Sequence, residues 1–327
     1  MLVGIVIFVG VTRTQVGRDA IRAQVETAFN QRFEGRLSIA SLSGTLIDEV
    51  VATNVQLRDP SGTVVAMVDS IRGTPRWANL LTAELSLRTL TLVRPQLSLD
   101  RDSSGTWNAR RALRRKNPSS QPDQPLDLTV VNVEVQDGQV TTTRQGSPPE
   151  VVRDEWLFDY TRTEVTNIAL AASVQRAGPS GRLEINTASF TLPDVALQTS
   201  LLEGELQRTG TGWSLRDLVL SLGETYIQGR ASLRSSGAGG SPTLIGQNAL
   251  SLELSRSRID NDELRRLVPR LPFADVVTVQ GTVEGSLDQL RANDVTLTHD
   301  SSFATATVPS RVANEESWVT VTSFARS

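Results

Sequence analysis

The residues that could do chemistry in this chain are few, and each group points to a different chemistry. His299 stands beside Asp300 and Ser301, the residue types of a nucleophile, base and acid relay. Neighbours on a strand project to opposite faces, however, and no G-x-S-x-G elbow is present, so the trio reads as a surface or turn segment. Asp100-Arg101-Asp102-Ser103-Ser104-Gly105 opens like a calcium loop, with oxygen donors at alternate positions and glycine sixth. Its twelfth position is Arg111 where a bidentate Glu should close the cage, so a polar hairpin turn is expected instead. The pairs Asp154/Glu155 and Asp262/Glu263 read as a turn and a helix N-terminus, where negative charge suits the helix dipole, rather than as acid/base couples.

Arg110, Arg111, Arg114, Arg115 and Lys116 form the basic cluster, on a short helix expected to begin near Asn108. Such a cluster is either a solvated helix face or a contact for anionic lipid headgroups. No aromatic residue interleaves it for base stacking, and the chain carries a net charge of -3, so nucleic acid is not an expected partner. With no cysteine and a single histidine, disulfides, thiolate metal sites and any site needing two imidazoles are excluded. No catalytic residue, metal site or cofactor is assigned, and the chain is expected not to be an enzyme.

The elements that remain are a scaffold. Met1 to Val11 is apolar and uncharged, too short for the roughly 20 residues that span a bilayer, and lacks the basic start and A-x-A end of a signal peptide. It is expected to be the C-terminal end of an inner-membrane anchor. Gly17 to Phe33 follows as an amphipathic helix, with Ile21, Val25, Ala28, Phe29 and Phe33 at helical spacing, and ends at Gly35. The period then switches to two. Asp59-Pro60-Ser61-Gly62 is a hairpin turn, Trp77 to Leu81 a helical turn, and Leu85/Leu87, Leu90/Leu92 and Leu97/Leu99 the clearest strands, with Pro95 at an edge or bulge. Beyond a linker at Asn117 to Pro125, strands recur about every ten residues, interrupted by a hairpin tip at Ser235 to Pro242 and a helical insert at Asp262 to Val268 that Pro269 and Pro272 stop. A loose repeat pairs a glycine-punctuated strand with a later apolar pair: Gly204-Glu205-Leu206 with Leu218 to Leu220, and Gly281 to Gly285 with Val295-Thr296-Leu297.

The fold class expected is therefore mainly β: an extended, curved, mostly antiparallel sheet behind an N-terminal helix. The segments are 1–34 (anchor and amphipathic helix), 35–116 (first β segment), 117–125 (linker) and 126–327 (continuing β segment with a helical insert near 260–269). The apolar faces, represented by Leu85, Leu87, Leu90, Leu92, Leu97, Leu99, Leu183, Ile185, Leu218 and Leu220, admit two readings. A sheet face is ordinarily buried against a second layer; alternatively it lines a groove for acyl chains, which few aromatics and few covering helices favour.

The order of several motifs resembles a known family. Arg13-Thr14-Gln15-Val16-Gly17-Arg18 after the apolar run, Gly35-Arg36-Leu37-Ser38-Ile39, Leu42-Ser43-Gly44-Thr45-Leu46 and Asp59-Pro60-Ser61-Gly62 are similar to the N-terminal portion of the TamB and wider AsmA-like family. Val93-Arg94-Pro95-Gln96-Leu97, Gly105-Thr106-Trp107-Asn108, Asp262 to Leu267 and Val279 to Gly285 extend the resemblance to about Leu297. It implies a single-pass inner-membrane protein of a diderm bacterium, facing the periplasm as a half-open β-groove (a β-taco) that moves phospholipid toward the outer membrane. Membrane lipid, and an outer-membrane β-barrel of the TamA kind, are the partners it implies. A role in inserting outer-membrane proteins is the alternative within the family, and a structural β-sandwich surface protein the alternative outside it. The short anchor and the end at Ser327 depart from the family pattern, as a fragment or a short relative would.

Overall fold

The computed structural model describes residues 14–45, 48–76, 85–117, 127–144, 161–178, 180–210, 212–234, 249–266, 276–286, 289–299, 302–309 and 323–326. The apolar segment 1–11, the expected turn at 77–81, the linker from 118 on, the hairpin tip 235–242, Asp154/Glu155, Pro269 and Pro272 lie outside them. Among the described residues no helix is long and apolar enough to cross a membrane.

Helix α1 (Gln15–Arg32) starts at Thr14, whose hydroxyl accepts the Gly17 N–H at 3.1 Å. Then come β1 (Arg36–Thr45), β2 (Glu49–Arg58), β3 (Val64–Pro75), β4 (Leu85–Arg101), the five-residue α2 (Asn108–Ala112), β5 (Leu128–Arg144) and β6 (Arg162–Ala177). After β7 (Ser180–Leu192) a 3-10 turn at Pro193–Val195 leads into β8 (Leu197–Thr209), β9 (Gly212–Leu222), β10 (Thr225–Arg234) and β11 (Ala249–Ile259). The chain continues through α3 (Asn261–Leu264), β12 (Val277–Ser286), β13 (Gln289–His299), β14 (Ser302–Pro309) and β15 (Ser323–Arg326). Among the described residues, registered pairs join β1 to β5 in chain order and, separately, β8 to β15 in chain order. The protein is thus mainly β, with a helix at its N-terminal side.

Two compact units divide the chain: Met1–Asp154 with Phe158–Gln175 and Phe190–Ala196, and Glu155–Leu157 with Arg176–Ser189 and Leu197–Ser327. The expected linker at 117–125 belongs to the first unit. Strands β4 and β5, on either side of that linker, are neighbours and run parallel, from Leu85 opposite Leu128 to Arg101 opposite Arg144. A parallel pair needs a long crossover, and 26 residues of chain, 102–127, including α2, lie between the two strands. The other registered pairs among the described residues are antiparallel.

The strands are longer than alternation predicts, and their apolar pairs are out of phase for a physical reason. Leu90/Leu92 and Leu97/Leu99 belong to one strand, β4, and Leu128 to Val135 and Gln139 to Arg144 to another, β5. Between the halves sits a residue in the left-handed region: Arg94 (φ 47) and Asp137 (φ 55). The same occurs at Asn54 in β2, Asn167 in β6, Asp217 in β9 and Asp294 in β13, with φ between 50 and 52. All but Arg94 are Asn or Asp, the non-glycine residues that tolerate this conformation best. Each is followed three positions later by Leu or Val: Leu57, Leu97, Val140, Leu170, Leu220 and Leu297.

These residues line up. In the first unit Asn54 falls opposite Asp69, Asp69 opposite Arg94, and Arg94 opposite Asp137. In the second unit Gly204 faces the extra residues Asp217-Leu218 of β9, and Gly281 faces Asp294-Val295 of β13. In the second unit the extra residue makes a β-bulge, which bends its strand and resets the alternation, whereas in the first unit the left-handed residues stand one against one without a register shift; in both, one face stays apolar across the phase shift. The loose repeat in the sequence is this device, a glycine and an aspartate on adjacent strands. Gly281 at φ 141 could not be replaced freely, since a Cβ there would lie 2.6 Å from the Val295 Cα.

Candidate functional site

The apolar face is assembled strand by strand through register. In the first unit Leu42, Ala52, Ile71, Leu92 and Val135 follow one another across β1 to β5, and Leu37, Leu57, Ala66, Leu97 and Val140 form a second row. Between them run Ile39, Val55, Val68 and Pro95, paired one with the next, with Val55 and Pro95 directly after the left-handed Asn54 and Arg94. A Cβ on Gly138 would meet Val135 at 2.9 Å, Ile168 at 3.2 Å and Pro95 at 3.3 Å, which places all four on one face. Pro95 sits beside the irregular Arg94, where a missing backbone donor is tolerated. In the second unit Leu220 pairs with Leu202 on β8 and Ile227 on β10, and Leu218 with Gly229.

These rows are covered only in part. Leu87, Leu90, Leu92, Leu97, Leu99, Leu183, Ile185, Leu218 and Leu220 are all half-buried; Leu85 starts β4, and its side chain lies outside the described ones. Among the described residues the largest side chains with under 2% exposure are Val65, Asn108, Asn261, Thr199, Thr225 and Ser257, and no Leu, Ile or Phe is among them. A sheet face sealed by a second layer would bury its leucines to that extent.

The best-buried side chains instead surround two hairpin turns held by the small helices. In the first unit Arg58-Asp59-Pro60-Ser61-Gly62-Thr63 and Arg101-Asp102-Ser103-Ser104-Gly105-Thr106 fold alike. Each Asp N–H donates to the Thr carbonyl and each Gly N–H to the Asp carbonyl. Each Asp Oδ1 accepts from a Ser hydroxyl (2.5 and 2.6 Å) and a Thr N–H (3.0 and 2.9 Å), and each Arg donates to the Gly carbonyl at 3.0 Å. Asp100 to Gly105 thus ends in a hydrogen-bonded turn.

Arg111 on α2 joins the two turns. Its Nη2 lies 3.1 Å from Asp59 Oδ2 and its Nη1 2.5 Å from Asp102 Oδ2. The Asp59 side chain is wholly out of water. Burial pushes its carboxyl up, but the Ser61 hydroxyl, the Arg111 guanidinium and the Thr63 and Ser61 N–H groups outweigh that and hold it below the usual carboxylate range. The Ser104 hydroxyl, the Thr106 N–H and Arg111 likewise lower Asp102. Asp59 in turn raises Arg111.

The rest of the basic cluster divides. Arg114 stands 3.7 Å from Glu34, Lys116 Nζ donates to the Asn30 carbonyl at 2.7 Å, and Arg115 makes a β-bridge with Phe33. Arg110 faces solvent. The cluster therefore ties α2 to the end of α1, a role that residue type alone did not reveal. The repeated R-D-x-S-G-T hexapeptide was the available signal.

In the second unit the Glu263 carboxylate on α3 accepts the Glu224 N–H at 2.8 Å and the Thr225 N–H at 2.9 Å, capping the β9–β10 turn. Asp260 caps α3 by accepting the Glu263 N–H at 3.2 Å. A depression of about 280 Å³ near the bulges of β9 to β11 includes Arg216, Asp217, Arg230 and Glu253; it is polar, and Arg230 and Glu253 neutralise each other at 2.5 Å. His299 closes β13 opposite Ser302, while Asp300 and Ser301 lie outside the described residues. Among the described residues no group of three or more His, Asp or Glu side chains could hold a metal ion. No family model matches this chain, and no curated protein matches it.

Proposed function

We propose that this chain is a non-enzymatic, inner-membrane-anchored periplasmic protein whose apolar sheet face forms part of a half-open groove for phospholipid, at the inner-membrane end of a path toward the outer membrane. The observation that carries the reading is the half-buried state of most of the apolar rows: among the described residues no Leu, Ile or Phe is under 2% exposed, and Leu197, Leu222 and Ile39 are the buried ones, at 4%, 5% and 8%. The resemblance to the AsmA-like family supports it. An acyl chain laid along such a face removes apolar surface from water on both partners, at about 0.8 kcal/mol per buried CH₂, while the headgroup stays wet at the margin. Bulges that keep one face apolar across phase shifts make the lining continuous, so a chain can slide without a deep trap. The strand order within each unit, in which each registered strand neighbours the next, departs from the Greek-key connections of a sandwich and favours the groove.

The test introduces charge: Leu90→Asp, Leu92→Asp, Leu218→Asp and Leu220→Asp. On a groove face the carboxylate reaches water, so the variants stay folded and membrane-bound but lose lipid crosslinking or transfer. In a sealed core the unpaired charge costs several kcal/mol and unfolds the protein. Unfolding of every variant would discard the groove. Deleting Met1 to Val11 should release the protein into the soluble fraction, and an unchanged distribution would sink the anchor.

A further inference from the structure

Strand β1 is the first strand in the order, so among the described residues one side of its backbone has no strand neighbour. An edge of this kind is a template for another strand. Here the backbone groups of its first half, at Leu37, Ile39 and Ala40, are taken up by side chains of α1. Asn30 does so twice, donating to the Leu37 carbonyl at 3.2 Å and accepting the Leu37 N–H at 2.8 Å. Glu26 accepts the Ile39 N–H at 2.6 Å, and Arg22 donates to the Ile39 and Ala40 carbonyls at 3.0 and 3.2 Å. One step earlier the Gly35 N–H donates to the Ala112 carbonyl at 2.9 Å.

The match is geometric as well as chemical. Residues four apart on a helix advance about 6 Å, and residues two apart on a strand about 6.6 Å, so Arg22, Glu26 and Asn30 keep pace with the outward groups of β1. The residue types fit each demand: an acceptor for an N–H, a donor for a carbonyl, an amide for both. The inward side of α1 is therefore mixed: Arg22, Glu26 and Asn30 are half-buried beside Ile21, Phe29 and Phe33 of the expected apolar stripe, while Val25 and Ala28 of that stripe are exposed.

We propose that α1 is an edge cap that imitates a β-strand, and that the addition it blocks is of β1 from a second copy of this chain. From Leu37 to Thr45 β1 has no charge and no proline, so it lacks the devices by which an edge strand ordinarily repels its like. Two uncapped edges would pair about a two-fold axis, each offering the other the same donors and acceptors. The inference is independent of any lipid role.

The experiment uses the full chain carrying Arg22→Ala, Glu26→Ala and Asn30→Ala, compared with wild type in the same buffer and detergent by sedimentation over a range of concentrations. The variant should show a concentration-dependent doubling of mass beyond that of wild type, and adding Leu37→Pro, which deletes an outward N–H, should reverse it. A folded triple variant with wild-type mass, or association that survives Leu37→Pro, would overturn the proposal. Should the triple variant lose its β-sheet signal, the single change Glu26→Ala decides by hydrogen exchange. Loss of a bond to a charged acceptor should speed exchange of the Ile39 amide by roughly ten- to a hundredfold, and an unchanged rate refutes the cap.

Discussion

Replacing Glu263 by Ala tests the idea that the helical inserts exist to hold hairpin turns. The Glu263 carboxylate accepts two backbone N–H groups, those of Glu224 at 2.8 Å and Thr225 at 2.9 Å. Water can replace it at the exposed Glu224 amide, so that bond contributes only about 0.5–1 kcal/mol. Thr225 has no exposed surface, and its amide would be left without the charged acceptor, at a cost of about 1.5–3 kcal/mol. The sum is about 3 kcal/mol, or roughly 6–12 °C in melting temperature for a unit of this size. Glu263→Gln keeps one acceptor oxygen and should lose about half as much. Gly223 provides an internal control, because its φ is 57 and an added Cβ would lie 1.9 Å from Glu263 Oε1. Gly223→Ala should therefore be costly alone and clearly less costly in the Glu263→Ala background, where only backbone strain remains. Urea midpoints and exchange of the Thr225 amide read the effect. If Ala and Gln at position 263 both remain within about 0.5 kcal/mol of wild type, the turn does not depend on the helix.

Gly281→Ala forces a Cβ toward the Val295 backbone and should cost more than about 2 kcal/mol by denaturant titration. At the left-handed position 217, Asp217→Val should cost about 1–2 kcal/mol while Asp217→Asn stays within about 0.5 kcal/mol, as side-chain shape and not charge sets the preference. The lowered carboxyls of Asp59 and Asp102 make the clamp acid-sensitive: folded, they release protons that the unfolded chain still holds, so stability is full above about pH 4–5 and falls as the pH drops through the unfolded carboxylate range toward their native values. Asp59→Asn should flatten that acid limb in a pH series of melting temperatures, and a limb identical to wild type would remove Asp59 from the account.

Local signals carried much of the architecture. The turn at Asp59 to Gly62, the short helix beginning at Asn108 and the helical insert near residue 261 are formed by neighbours in the chain, and composition and periodicity reveal them. Helix α1 is legible for the same reason, apart from the sharing of its inward side by Arg22, Glu26 and Asn30 with Ile21, Phe29 and Phe33. The phase breaks at Asn54, Arg94, Asp137 and Asp294 look like gaps between strands in the sequence, because a left-handed residue inside a ladder has the same sequence mark as a turn, whereas Asn167 and Asp217 fall inside expected strands. Only the partner strands show that pairing continues across it.

What the sequence by itself determined is the alternation that makes strands, the Gly, Asp, Ser and Pro turns that join them, and the lack of cysteine and of a second histidine that removes whole classes of chemistry. What the tertiary structure alone decided is pairing between distant residues. Arg111 and Asp59 are 52 positions apart, and their contact turns a basic cluster into a clamp. The parallel register of β4 and β5 brings together strands that a linker separates. Glu26 looks like any solvent-facing residue of an amphipathic helix until β1 presents an N–H to it. The physical reason is common to these cases: a hydrogen-bonding group is satisfied by whatever partner the fold brings within 3 Å, and one-dimensional spacing carries no information about which partner that will be.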